Sequence, residues 1–353
     1  MINLITIPLN KEETTIRKME RLLFPFMNRL IIIFDNSYQI KDNLPFLANL
    51  NRSIVLLCDF TIEEDLIKNI PENASIINCN LIDKVDCIEN FKVYFRALNP
   101  VGIIIFNNSN HKNNIWCEQA CKCNINTLNL EPKSTPNIVS LINKKFPYNS
   151  LHGDVIDKLF IGCDKYFIDG WLNTDLRGGG EIKYLDISKK MPFGENEFQY
   201  IFIEDTIEYF EIDKFIYALS EIYRILRHGG HLRISILNIY FLIDLCLHSE
   251  KSINKKYIKW FIDNNQIQNS LNMRIEEIPI VAFDNCMNEA KYISFYDINV
   301  IKILLEKCGF KNISYSLTGE SNDPVFANIE QRIFTYPIWV NKIKYISVEA
   351  TKL

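Results

Sequence analysis

No apolar run in the chain approaches the ~18–20 residues that cross a bilayer as a helix, so no membrane span is expected. Basic charge is not in excess either: 39 Lys and Arg stand against 43 Asp and Glu, a net charge of -4. Nucleic-acid binders ordinarily present a strongly basic face, so nucleic acid is not an expected partner. No basic segment precedes the apolar stretch in Met1-Ile-Asn-Leu-Ile-Thr-Ile-Pro-Leu-Asn10, which is therefore not expected to act as an export signal. The ten cysteines lack framework spacing, and without an export signal they read as reduced thiols of a cytoplasmic protein. Cys117, Cys121 and Cys123, with His111 nearby, match no common zinc spacing. They are taken as small core-facing residues, and no metal is expected. There is no internal repeat. Disorder is excluded by a composition that is 48% apolar and only 23% charged.

What is present is enough chain for two domains, since 353 residues exceed the ~100–200 of one ordinary domain. Residues 1–135 alternate short Ile-, Val- and Leu-rich runs with amphipathic stretches. The runs are Leu30–Phe34, Ser53–Cys58, Ala74–Cys79, Val101–Phe106 and Ile125–Leu130. Runs apolar on both faces suit parallel strands covered by helices on both sides. Helical spacing falls at Glu12–Leu23, Ile62–Ile70 and Val85–Leu98, which completes a doubly wound parallel-sheet domain. Ligands on such sheets sit beyond the carboxyl ends of the strands. Those ends carry Asp35-Asn36, Asp59, Asn80 and Asn107-Asn108, and no glycine-rich phosphate loop follows any of them. A scaffold or interaction domain and a degenerate nucleotide or sugar-nucleotide site both remain open. Residues 136–157, with Pro136, a helical stretch at Ile138–Lys145 and a turn-rich Pro147–Asp154, read as the linker.

Residues 158–353 have a different texture. Lys158-Leu-Phe-Ile-Gly-Cys-Asp164 reads as a strand ending in a tight turn. Gly170-Trp-Leu-Asn-Thr-Asp175 and Lys183-Tyr-Leu-Asp186 read as strands ending in a carboxylate. Met191-Pro-Phe-Gly leads into a fourth strand that ends at Glu204. Phe215–Leu226 has helical spacing, Arg227-His-Gly-Gly230 reads as a turn, and His231–Ile236 as a fifth strand. Only ten residues separate Gly162 from Asn173, too few for a full crossover helix with its turns. The first crossover is therefore expected to be abbreviated.

This order resembles the class I S-adenosylmethionine-dependent methyltransferases, and more narrowly the methyltransferase type 11 group. Those proteins carry a glycine-cysteine-glycine turn, a GWLNTD segment, an LD…PF…FDYIF segment, an E…IEH segment and an RVLKPGG.LRI segment. The likeness continues through Ser294–Asp297, Leu304–Phe310, Gly319–Pro324 and Tyr345–Ala350. It implies a Rossmann-like domain with a seven-stranded sheet, closed by an antiparallel hairpin of Ile313–Leu317 and Lys344–Ala350. It also implies S-adenosylmethionine as cofactor. Gly162, Cys163 and Asp164 fall at the family's glycine turn, where a missing side chain lets backbone approach a ligand. Asp175 falls where an acid takes the ribose hydroxyls. Asp186 falls on the adenine side and Glu204 at the methionine end.

The chain departs from the family pattern at several positions. Asp164 replaces the second glycine of the turn, Asp205 and Tyr209 stand where the family has His, and His228 stands where it has Pro. Asp205 is the candidate catalytic base, with a surface cap as the alternative. His228 and His231 flank a turn and read as structural. Tyr296, Glu320, Asp323, Glu330 and Arg332 are acceptor-side candidates. The expected function is methyl transfer to an oxygen or nitrogen of a small-molecule or glycan acceptor, in a chain whose self-association into a homo-oligomer stays open. The alternative is a non-catalytic methyltransferase fold used for binding or assembly.

Overall fold

In a computed structural model, the residues described are 4–6, 23, 26–34, 37–58, 60–78, 97–106, 125–130, 138–146, 156–178, 182–265, 279–284, 292–331 and 336–353. They group into two compact units. One is Met1–Ile156 with Cys163–Phe193, and the other is Asp157–Gly162 with Gly194–Leu353.

The first unit holds a six-stranded, all-parallel sheet. Its strands are β1 (Leu4–Thr6), β2 (Leu30–Ile33), β3 (Ile54–Cys58), β4 (Ala74–Asn78), β5 (Gly102–Phe106) and β6 (Thr127–Leu130), in the order β1-β4-β3-β2-β5-β6. β2, β3 and β5 are buried along their whole length, as expected of apolar runs covered on both faces. The order reverses at β2, which pairs with β3 on one side and β5 on the other (Leu30 with Ile54 and with Gly102). Helix α1 (Ser37–Asn49) buries Gln39, Ile40, Asn43 and Leu47 on one face. It was not anticipated from the sequence, and it contains Pro45, which offers no main-chain donor. α2 (Glu64–Lys68) lies within the expected 62–70 stretch, and α3 spans Ile138–Lys145. Strand β1 was not anticipated; it pairs only as Leu4–Thr6 with Ile76–Asn78. Asp35, Asn36, Asp59, Asn80, Asn107 and Asn108, most of Glu12–Leu23 and Val85–Leu98, and His111, Cys117, Cys121 and Cys123 lie outside the described residues.

The second sheet has seven strands: β7 (Lys158–Ile161), β8 (Leu172–Asp175), β9 (Lys183–Tyr184), β10 (Phe198–Glu204), β11 (Leu226–Leu237), β12 (Lys311–Leu317) and β13 (Tyr345–Thr351). Their order is β12-β13-β11-β10-β7-β8-β9. β10 runs parallel to β7 and β11, β8 parallel to β9, and β13 antiparallel to β11 and β12. The Rossmann-like sheet and its C-terminal hairpin are therefore present. No helix separates β7 from β8, so the first crossover is abbreviated. Residues 227–230 belong to β11 rather than to a turn before it. They bulge opposite Gln199, so that Phe198 faces Leu226 and Tyr200 faces His231.

Helix α4 (Ile212–Ile225) buries Phe215, Ala218, Leu219, Ile222 and Ile225, the spacing of one helical face. α5 (Ile239–Leu247), α6 (Ser252–Asn265), α7 (Ile298–Lys307) and α8 (Ile338–Lys344) follow. The basic run on α6 is a solvated face, with Lys255, Lys256 and Lys259 exposed while Asn254, Tyr257 and Ile258 are buried. Among the described residues no helix is long and apolar enough to cross a membrane.

Candidate functional site

In the first unit, the carboxyl end of β8 gathers Asp164, Asp175 and Arg177. The Asp164 main-chain N–H donates to Oδ2 of Asp175 at 3.0 Å, and that of Arg177 donates to Oδ1 at 2.8 Å. Each oxygen thus takes one fixed donor and keeps lone-pair capacity for another. Asp164, at φ 51°, pairs its own carboxylate with the Arg177 guanidinium at 3.2 Å. The extra negative charge at the turn therefore has a local partner. Asn173 fastens the turn from below: its amide donates to the carbonyls of Ile168 and Trp171 at 2.9 and 2.8 Å and accepts the Ile168 N–H at 2.9 Å. The Cys163 N–H donates to the Thr174 carbonyl at 3.1 Å. Its thiol is buried, and burial first, then the Asp175 charge, pushes its pKa well up. It stays a thiol and is no nucleophile.

Asp186 follows β9. Its carboxylate accepts from the Ser188 N–H and hydroxyl at 3.0 and 2.6 Å and pairs with Lys189 at 3.3 Å. Its main chain is bracketed by Asn51, whose Oδ1 accepts the Asp186 N–H at 2.9 Å and whose Nδ2 donates to the Asp186 carbonyl at 3.1 Å.

In the second unit, Gly162 ends β7 at φ 73°, where a side chain is strained. A Cβ there would also meet Thr206 Oγ1 at 1.8 Å, and that hydroxyl is held by the Glu204 carbonyl at 2.8 Å. Glu204 is buried and its carboxylate accepts the Gln331 N–H at 3.0 Å. Asp205 is buried too, at φ 47°, so it is not a surface cap. Its N–H donates to the Ser235 carbonyl at 2.9 Å, and its carboxylate accepts the Tyr292 hydroxyl. Burial first, then the charges of Asp205 and Glu208, push the Tyr292 phenol far up, so it is a donor at every working pH. The Ile293 and Ser294 N–H groups donate to the Glu208 carbonyl at 2.9 and 3.0 Å, and the Tyr296 hydroxyl donates to the Phe210 carbonyl at 2.6 Å. Residues 292–296 are thus strapped along 205–210.

Residues 172–234 match the family described as Methyltransferase domain, and they run from β8 into β11 across the acids just described. The matched segment is that of a methyltransferase domain, and it lies on a Rossmann-like sheet. No curated protein matches the chain. Solved structures similar to it at low overlap include the following. A Thermotoga maritima S-adenosylmethionine-dependent methyltransferase, described as a possible histamine N-methyltransferase, is 15% identical over 56% of this chain and 81% of its own, with a TM-score of 0.30. Haemonchus contortus phosphoethanolamine N-methyltransferase 2, in complex with S-adenosylmethionine, is 10% identical over 96% and 98%, at 0.31. A Methanosarcina mazei S-adenosylmethionine-dependent methyltransferase is 15% identical over 57% and 94%, at 0.30.

The acids of the methyltransferase domain suit its cofactor. Asp175 presents an oriented carboxylate at a strand end, suited to a vicinal diol. The turn acid Asp164 is neutralised by Arg177, so it adds no unpaired negative charge. Among the acceptor-side candidates, Glu330 goes elsewhere. It is buried against Arg233, whose Nε donates to it at 2.8 Å, and it also takes the Ser347 hydroxyl at 2.8 Å and the Gly319 N–H at 3.0 Å. Asp323 lies 3.7 Å from His231, and Glu320 pairs with Lys342 at 2.9 Å. Arg332 lies outside the described residues. Sequence reasoning missed Arg177, Thr206, Tyr292 and Asn51. Thr206 directly follows the Glu204-Asp205 pair and was within reach of inspection. Asn51 had no local signal at all.

Proposed function

We propose that the chain transfers a methyl group to an oxygen or nitrogen of a small molecule or glycan precursor, in the cytoplasm. The observation that carries this reading is Asp175, whose two oxygens are each pinned by one main-chain N–H and so aimed as a unit. In this reading Asp175 takes the ribose hydroxyls and Asp186 lies on the adenine side. Gly162, Cys163, Asp164 and Glu204 belong to the methionine end, and residues 1–135 and 158–353 are separate folds joined by a linker at 136–157. Bound S-adenosylmethionine supplies an electrophilic methyl on a positively charged sulfur. The chain's own task is then alignment and exclusion of water. Asp205, kept ready as an acceptor by the Tyr292 hydroxyl, takes the proton that the nucleophile loses as its lone pair forms the new bond. The near balance of charge supports an acceptor other than nucleic acid.

The test is calorimetric titration with S-adenosylhomocysteine. Replacing Asp175 with Ala removes two charge-assisted acceptors, so a loss of ~10–100-fold in affinity is expected. Wild-type affinity in Asp175→Ala would overturn the reading. A second reading, a methyltransferase fold used for binding or assembly, is favoured by the Thr206 side chain set over Gly162. It predicts no binding of S-adenosylhomocysteine at millimolar concentration.

A further inference from the structure

We infer that Asn51 and Arg29 are positioning residues for the cofactor, and that the amino-terminal sheet serves as the clamp holding the adenosine-side loops. The inference rests on the reading of Asp175 and Asp186 just given. All the contacts concerned lie within the first unit.

β9 has two residues and, among the described residues, pairs with β8 alone, as Thr174 with Lys183 and Asp175 with Tyr184. It is the last strand of the sheet among the described residues. The next residue, Leu185, still donates its N–H to the Asp175 carbonyl at 3.2 Å. Main-chain groups beside a sheet edge need partners from outside the ladder, and for Asp186 Asn51 supplies them. Its side-chain amide pairs with both the N–H and the carbonyl of Asp186, as a neighbouring strand would, and reaches the Lys190 carbonyl at 3.1 Å as well. Lys189 completes the fastening. Its ammonium donates to the Ala48 carbonyl at 2.8 Å while pairing with the Asp186 carboxylate at 3.3 Å. The Ala48 carbonyl lies in the last turn of α1, one of those a helix leaves unsatisfied.

Arg29 does the same for the other segment. Its guanidinium donates to the carbonyls of Arg177 and Gly178 at 3.0 and 3.1 Å, just past the residue whose N–H orients Asp175. Burial lowers the Arg29 pKa to about 10, which leaves it charged at neutral pH.

Asn51 is itself held. Asn73 donates to the carbonyls of Leu47, Leu50 and Arg52 at 2.9, 2.9 and 3.1 Å, which fixes the loop on both sides of Asn51. Arg29 and Asn51 precede β2 and β3, at the amino ends of the strands. Ligands of parallel sheets bind at the opposite, carboxyl edge. The first sheet therefore uses its amino edge as a support.

The test uses the full chain with two probes, S-adenosylhomocysteine and 5′-methylthioadenosine, which lacks the amino-acid end. Asn51→Ala is expected to weaken both by the same factor, about tenfold, at a temperature where circular dichroism shows the variant folded. Arg29→Lys, which keeps the charge but loses the fork, is expected to weaken both by about threefold. If Asn51→Ala does not fold, Asn51→Asp replaces it. That variant still accepts the Asp186 N–H but cannot donate to the two carbonyls, and it should weaken both probes. A lower unfolding midpoint with both affinities within about twofold of wild type would show a merely structural role and overturn the inference. Asp175→Ala runs in parallel. If it alone loses affinity, the clamp is wrong and the cofactor reading stands. If it too binds like wild type, the cofactor reading falls and the inference falls with it.

Discussion

The two sheets of this chain solve burial in opposite ways. The central strands of the first are Leu-Ile-Ile-Ile, Ile-Val-Leu-Leu-Cys and Gly-Ile-Ile-Ile-Phe, buried throughout. Their only obligatory partners are main-chain neighbours. The second sheet buries Asn173, Thr174, Glu204, Arg233, Ser235 and Ser347 in its strands, Thr174, Arg233 and Ser347 to full exclusion of solvent. A buried polar group costs free energy unless it is bonded, so each of these positions needs a specific partner. The first sheet is held by shape and can support a neighbour only from its ends, through Arg29, Asn51 and Asn73. The second is held by named pairs, and the residues available for chemistry are among them.

The largest expected effect breaks the contrast at its extreme. Arg233 is in register with Glu349 across the β11–β13 ladder. It pairs with both Glu349 and Glu330 and donates to the Glu320 carbonyl at 3.1 Å. Arg233→Met leaves two carboxylates without their cation, and a loss of about 3–5 kcal/mol is expected in denaturant unfolding. Ile104→Val, at a fully buried position of the first sheet, removes one methylene and should cost about 0.5–1.5 kcal/mol. Adding Glu330→Gln and Glu349→Gln to Arg233→Met should recover a large part of the loss, because no uncompensated charge then remains. If the triple variant is no better than Arg233→Met, the cluster is held by packing rather than by charge.

A second comparison sharpens the point within one loop. Gly162 and Gly170 have nearly the same φ, 73° and 75°. A Cβ at Gly170 meets nothing within 4 Å, whereas at Gly162 it meets the Thr206 hydroxyl. Both Ala variants carry the left-handed penalty of about 1–2 kcal/mol. Only Gly162→Ala must also displace a pinned side chain, an overpacking cost of about 1–3 kcal/mol more. Thermal unfolding of the two variants measures the difference. Adding Thr206→Ala should return part of the Gly162→Ala loss, and equal losses in the two single variants would show that the space over Gly162 is immaterial.

These contrasts also explain what the sequence could show. Five of the six parallel strands of the first sheet, β2 to β6, were legible to within a residue or two because they lie in short apolar runs. The acids at 175, 186 and 204 were legible because they end strand-like runs in the order of a known family. What was not legible is pairing at distance. Asn51 meets Asp186 across 135 positions, Arg233 meets Glu330 across 97, and Tyr292 meets Asp205 across 87. No periodicity links such residues, since the closed fold rather than the local chain brings them together. Helix α1 was missed for a local reason: Pro45 interrupts its donors, and the burial of Ile40 and Leu47 holds the helix nonetheless.

The smallest expected effect lies at a half-buried polar pair. Asp297 caps α7, accepting the Val300 N–H at 2.7 Å. The Tyr240 hydroxyl first, then that N–H, hold its carboxyl below the ordinary range. A group whose pKa is depressed by folding contributes above its unfolded pKa, and the contribution is lost as pH falls through the folded value. Asp297→Ala should therefore cost about 1 kcal/mol at neutral pH. The gap between variant and wild type should close as the solution is acidified below the usual carboxylate range. α7 itself stays anchored by Ile301, Leu304 and Leu305, which are buried, so only the cap is removed. Urea unfolding at neutral and acidic pH would read both statements. A loss as large as that of Arg233→Met, or one that does not shrink in acid, would mean that exposure does not set the worth of a polar pair in this chain.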